Sequence, residues 1–143
     1  MSGIRRIFAT DQSTEEKGVW QDYGNGVEIL IARAGGSNKA FAKRFTELTR
    51  PHRRMIQAEA VDDATAKEIL YQVYAETVVK DWKGITAEDL DPAAANPNDA
   101  VPYTAKNAVT LFKALPDLFA DIVAQAGKLA MFRQVVNEGD AKN

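Results

Sequence analysis

At 143 residues, with 45% hydrophobic side chains, the chain is long enough for one domain with a sizeable core and too apolar to be disordered throughout. It contains no cysteine, which excludes a disulfide framework and any thiolate metal site. The formal net charge of −2 gives no global attraction to nucleic acid or membrane, and no apolar run approaches the roughly 20 residues of a membrane-spanning helix.

Residues 1–17 are polar and read as a loose arm, with no apolar stretch behind Arg5-Arg6 of the kind a secretory leader carries. Next comes VWQDYGNGVEILIAR, where Val19, Gln21 and Tyr23 alternate with Trp20 and Asp22, and Val27, Ile29 and Ile31 alternate with Glu28, Leu30 and Ala32. Asn25-Gly26 lies between these runs, and both residues tolerate the positive φ of a type I′ turn. A β-hairpin over 19–33 is therefore predicted. Gly35-Gly36 ends the strand and Ser37 is placed to cap a helix carrying Phe41, Phe45 and Leu48 on one face. Pro51 closes that helix and opens a short one through Met55 and Ile56. Asp62 or Asp63 caps the strongest helix, which extends to about Trp82 with Leu70, Tyr74, Val78 and Trp82 as its core seam and Gly84 as its stop.

Pro92, Pro97 and Pro102 forbid a continuous helix across 85–103, which reads as a long surface loop. Thr104 then caps a helix with Ala108, Leu111, Phe112 and Leu115 inward. Pro116 starts another, whose apolar face of Leu118, Phe119, Ile122, Val123, Ala126, Leu129 and Phe132 runs to about Val136. Residues 137–143 form a polar tail. The predicted fold is mainly α (α+β): one helical domain over 18–136 with an N-terminal β-hairpin.

The residue types that carry catalysis are sparse. His52 is the single histidine, and a metal site built on it needs further nitrogen or sulfur ligands nearby. A Ser-His-Asp triad would have to use it, yet no G-x-S-x-G turn is present. Asp62 and Asp63 suit helix capping, and Glu88, Asp89 and Asp91 suit a solvated loop. Gly24-Asn25-Gly26 joins two strands instead of opening a helix, so it is no dinucleotide fingerprint. The expectation is no enzyme, no cofactor and no metal.

Charge is unevenly distributed. Arg33, Lys39, Lys43, Arg44, Arg50, Arg53 and Arg54 are opposed only by Glu47, whereas Gly84–Ala100 holds Glu88, Asp89, Asp91 and Asp99 and no Lys or Arg. Two solvated faces explain this, as does complementarity with a partner or a second copy; the basic segment could also meet nucleic acid. Phe41 and Phe45 within it sit at core spacing, against a base-stacking platform. Arg50, Arg53 and Arg54, with Trp20 and Trp82 near element ends, are the candidate partner-binding residues, although a tryptophan so placed is more often core than hot spot.

In order along the chain, GVWQDYGNGVEILIARAG, NKAF-x-K-R-F, PHRR, ILYQVYAETVVKDWKGIT, VPYTAKNAVTLFKALPDLF and the A-x-F-R of Ala130–Arg133 cover most of Gly18–Arg133. This ordered set resembles the tail assembly chaperones of long-tailed, lambda-like phages and prophages; EDLDPAAANPNDA is longer than the usual connection there. The resemblance implies a non-enzymatic protein of the bacterial cytoplasm, absent from the mature virion. It would bind the tape measure protein, keep it soluble and help recruit tail tube protein, acting as a homo-oligomer without nucleic acid or membrane. It also implies a longer form made by a one-base backward ribosomal slip, and the residues Ala141-Lys142-Asn143 are compatible with a slippery A-AAA-AAC site. Two other readings are a small prophage nucleic-acid-binding regulator using the basic 33–54 segment and a structural tail or head-completion protein.

Overall fold

The computed structural model describes residues 3–134. Eight α-helices are described: α1 (Gly3–Phe8), α2 (Gln12–Lys17), α3 (Lys39–Thr49), α4 (Arg53–Gln57), α5 (Asp63–Thr77), α6 (Ala87–Leu90), α7 (Ala105–Ala114) and α8 (Pro116–Ala126). Single 3₁₀ turns at Arg50–His52 and Leu129–Phe132 accompany them. Strands β1 (Val19–Gly24), β2 (Val27–Ile31) and β3 (Val79–Lys83) form an antiparallel sheet in the order β1-β2-β3. The α+β class is as the sequence predicts. The predicted polar tail, the last two residues (135–136) of the final predicted helix and the slip site at 141–143 lie outside the described residues.

The hairpin forms as expected. Asn25 and Gly26 take φ of 54° and 80°, so their turn follows the twist of the strands, and Trp20 pairs with Leu30. The third strand was not expected. Instead of running to Trp82, α5 ends at Thr77. Thr77, Val78 and Val79 are consecutive β-branched residues, which fit a helix poorly and a strand well, and β2 offers a hydrogen-bonding edge. Register slips between Leu30 and Ile31, leaving Lys80 as the extra residue opposite them. This bulge explains why Val79 and Trp82, three apart, both face the core. Nor is Gly84 a helix stop. It follows β3 at φ +79°, and a Cβ there would collide with the carbonyl of Gly26 in the hairpin turn.

Ending a helix early leaves carbonyls without partners. Tyr103 places its hydroxyl between the carbonyl oxygens of Ala75 and Val79 and donates into that pair. The buried Asn38 side chain donates to the carbonyls of Thr77 and Arg33, each at 2.8 Å. Asn38, not Ser37, thus stands at the start of α3, and its amide ties that start to the end of α5. The expected loop 85–103 is closed on itself. Val101 N donates to Ile85 O, Ala87 N to Asp99 O, and Trp82 Nε1 to Val101 O at 2.8 Å. Thr86 and Asp89 form a capping box on α6.

The core joins Ile29 and Ile31 of β2 to Val73 and Tyr74 of α5, Ala108, Leu111 and Phe112 of α7, and Ile122 and Ala126 of α8. Phe119 binds the helices together, with ring centroids 4.8 Å from Tyr71, 4.9 Å from Phe112 and 5.4 Å from Tyr74. The hairpin is tied to α8 by Tyr23, whose hydroxyl donates to Asp121 at 2.7 Å. Burial and that carboxylate both raise the phenol pKa. Four residues expected inside, Phe45 among them, lie at the surface. Leu70 is 38% exposed, and Leu115 and Val123 are exposed as well. Helix α8 also stops at Ala126, ahead of Gly127, instead of continuing through Phe132.

The expected loose arm holds two helices, and the second is anchored. Asp11 N donates to Phe132 O and Gln134 N to Ala9 O. Glu15 is buried, bonded to Arg33 Nη1 at 3.0 Å and to the backbone N–H of Ser37 at 2.5 Å. Burial alone would raise its pKa. The Ser37 amide, the Thr10 hydroxyl and the Arg33 guanidinium together outweigh burial and lower it.

Four substitutions have distinct expected outcomes in urea denaturation. Phe112→Ala should lose about 3–5 kcal/mol and Leu70→Ala less than about 1 kcal/mol, because only the first empties a closed core. Tyr103→Phe should lose about 1–3 kcal/mol by removing the donor to the Ala75 and Val79 carbonyls at the passage from α5 to β3. Glu15→Gln should lose about 1.5–3 kcal/mol at neutral pH through its charged hydrogen bonds. Since folding lowers the Glu15 pKa, that stability is present above the unfolded carboxylate pKa and disappears as pH falls through the folded one. The Glu15→Gln deficit should therefore shrink on acidification; a deficit constant with pH would show that the carboxylate charge contributes nothing.

Candidate functional site

Helix α3 packs on α5 through Phe41 and Leu48, with Phe41 edge-on to Tyr74 at 5.5 Å. Phe45 lies one turn further along α3. It stacks on Phe41 at 6.4 Å and projects outward. Leu70 occupies the matching place on α5, one turn before Tyr74. The chain from Pro51 to Asp62 crosses beside them as α4 and a turn, and α4 contributes no buried residue. The result is an open groove of about 360 Å³ floored by Phe45, Ile56, Val61, Ile69 and Leu70, with Glu59 at its margin.

Thr49 and Ile56 also border a second depression of about 240 Å³, which includes Arg50 and Arg53. The apolar floor therefore runs out to an arginine edge. Arg50, Arg53 and Arg54 are all exposed, but Arg54 lines neither depression. The basic segment is not uniformly available. Arg33 is held by Glu15, and Arg44 by Glu76 at 2.8 Å and Glu47 at 3.1 Å, bonds that raise the Arg44 pKa.

The tryptophans fare differently as partner-binding candidates. Trp82 is only 6% exposed, and its indole N–H is committed to Val101 O, so it is a core residue and no surface anchor. Trp20 is half-buried on β1 with Lys83 Nζ 4.2 Å from its ring centroid, a cation–π contact, and lines neither depression. The arginines and tryptophans thus form no single site. The residues that sequence reasoning missed are Ile56, Val61, Ile69 and the outward-facing Phe45 and Leu70. Their spacing marks an apolar face, but periodicity alone does not distinguish a covered face from an open one.

The polar candidates are accounted for locally. Asp62 caps α5 through Thr65 N at 2.9 Å; the Thr65 hydrogen bonds are the main reason its pKa is lowered. Asp89 belongs to the α6 capping box, and Asp91 accepts from Ala93 N. Among the described residues, no group of three His, Cys, Asp or Glu side chains could hold a metal ion. No described helix is long and apolar enough to cross a membrane.

No curated protein and no solved structure matches the chain. A family model does match, that of the YdaY prophage protein, over residues 36–143. That span takes in α3, α4 and α5, and with them every residue of the groove and its arginine edge. With the match extending over most of its length, the chain belongs to the YdaY prophage protein family.

Proposed function

We propose that this protein is a tail assembly chaperone of a long-tailed prophage. In this reading it binds apolar helical stretches of the tape measure protein in the bacterial cytoplasm, keeps them in solution, and hands them to tail tube protein. It is no enzyme and remains outside the mature virion. The observation that carries the reading is the open groove between α3, α4 and α5. An amphipathic helix presents anchors at i, i+3, i+4 and i+7 to such a groove. A floor of Phe45, Ile56, Val61, Ile69 and Leu70 receives them without demanding hydrogen bonds. Arg50 and Arg53 at the edge would orient the client by its carboxylates. The ordered likeness to tail assembly chaperones supports the choice of client, and the prophage family supports the setting.

The nucleic-acid reading has less support. Arg33 and Arg44 are committed to carboxylates, and the surface beside Arg50 and Arg53 is apolar. Phosphate recognition calls for a contiguous set of free cations.

Co-expression with the tape measure protein of the same prophage should yield a complex that survives purification. Phe45→Glu or Leu70→Glu should weaken it at least about tenfold, since burying one such side chain contributes about 1.5–3 kcal/mol and about 1.4 kcal/mol is a factor of ten. A tape measure protein that stays aggregated beside the wild-type chain would sink the function. A complex indifferent to both substitutions would sink the groove as its binding site.

A further inference from the structure

Helix α1 carries a second apolar surface. Ile4, Ile7 and Phe8 are 64%, 48% and 60% exposed, and Arg5 and Arg6 share the helix. The three apolar residues are spaced i, i+3, i+4 and stand on one face. Large apolar side chains grouped in this way mark a surface that meets another.

Of two apolar depressions on the described surface, the charge at the margins favours one. The groove between α3, α4 and α5 adjoins Arg50 and Arg53, which would repel Arg5 and Arg6. The other is a cleft of about 170 Å³ lined by Tyr23, Val27, Ile85, Leu115 and Leu118, with Asp89 among its walls. Leu115 there is 42% exposed. Glu88 and Asp91 stand exposed beside α6, Asp117 is exposed next to Leu118, and Gly84–Ala100 holds no Lys or Arg. The cleft therefore combines an apolar floor with a rim opposite in charge to α1.

On its own chain, α1 borders a different depression, beside Ala9, Thr10 and Gln134, which shares no residue with that cleft. Ala9 and Asp11, just after α1, bond to the backbone of Gln134 and Phe132, beyond the C-terminal end of α8. Leu115 and Leu118 lie at the N-terminal end of the same helix. The eleven residues of α8 put about 16 Å between the two ends.

We propose that α1 of one copy docks into the Leu115–Leu118 cleft of a second copy, with Ile7 and Phe8 entering and Arg5, which flanks their face of the helix, turned toward the carboxylate rim of Asp89 and Asp117. Donor and acceptor are different surfaces, so the contact is head-to-tail, and every docked pair retains one free α1 and one free cleft. Assembly then extends by addition instead of closing as a symmetric pair. Three side chains make a small contact, which sets a weak, concentration-dependent association. The proposal stands apart from the client reading, because no tape measure protein is needed to test it.

Sedimentation velocity of the purified full chain should show an average mass that rises with protein concentration. That mass should fall as salt is raised from about 0.05 M to about 0.5 M, where the arginine–carboxylate attraction is screened. Ile7→Glu and Leu115→Glu change exposed positions, and each variant alone should remain monomeric with a wild-type circular dichroism spectrum. Mixed, they should form a heterodimer that grows no further, because Ile7→Glu retains a working cleft and Leu115→Glu a working α1. If either fails to fold, Ile7→Ser and Leu115→Ser carry the same test. A wild-type chain that stays monomeric, single variants that assemble like wild type, a mixture that stays monomeric, or an assembly unaffected by salt would each overturn the proposal.

Discussion

Where α5 gives up its hydrogen-bond ladder at Thr77, the chain passes directly into β3, and side chains from elsewhere take over the carbonyls left behind. Tyr103 serves Ala75 and Val79, and Asn38 serves Thr77. A buried carbonyl without a partner costs more than a typical hydrogen bond contributes, so these two residues make the early exit tolerable. Much of the remaining structure follows from it. Trp82 reaches the core only because β3 exists, its indole fixes Val101, and Val101 closes the 85–103 segment over Ile85. Asn38 also sets where α3 begins, and therefore how α3 lies on α5 and where the groove between them opens.

The elements easiest to read from the sequence are those whose determinants are local. Asn25-Gly26 specifies its own turn, Asp62 and Thr104 cap the helices that follow them, and Pro116 starts α8. Harder to read was anything decided by a distant partner. Val78 and Trp82 continue the four-residue step of Leu70 and Tyr74, so the spacing suits a helix. The edge of β2, nearly fifty residues earlier, makes that stretch a strand. Glu15 looks like an ordinary solvated carboxylate until Arg33 and the Ser37 amide are folded against it. Of the candidate site, Arg50 and Arg53 were legible from charge. The groove floor was not, because Phe45 and Leu70 were read as core-facing and nothing in the spacing pointed to Val61 or to an outward role for Ile56.

The surface divides its charges by location. The apolar groove meets arginines, and the apolar cleft at the start of α8 meets carboxylates. Neighbouring cations within the same basic segment have different fates. Arg44 is tied by Glu76 and Glu47 into the α3–α5 packing, whereas Arg50 and Arg53 remain at the groove edge. Contiguity in sequence is thus a poor guide to which charges a partner meets. The folded helices sort them by the carboxylates within reach.

The pairing of β2 with β3 has a consequence for the order of synthesis. The hairpin leaves the ribosome with the inner edge of β2 bare, and the residues that cover it, Val79–Lys83, emerge about fifty residues later. At a translation rate of roughly 5–20 residues per second, that edge of Ile29 and Ile31 stays unpaired for about 2.5–10 seconds. Such an edge is a template for joining neighbouring nascent chains. During each round of synthesis, the protein is therefore most vulnerable to misassembly in the interval between its second and third strands.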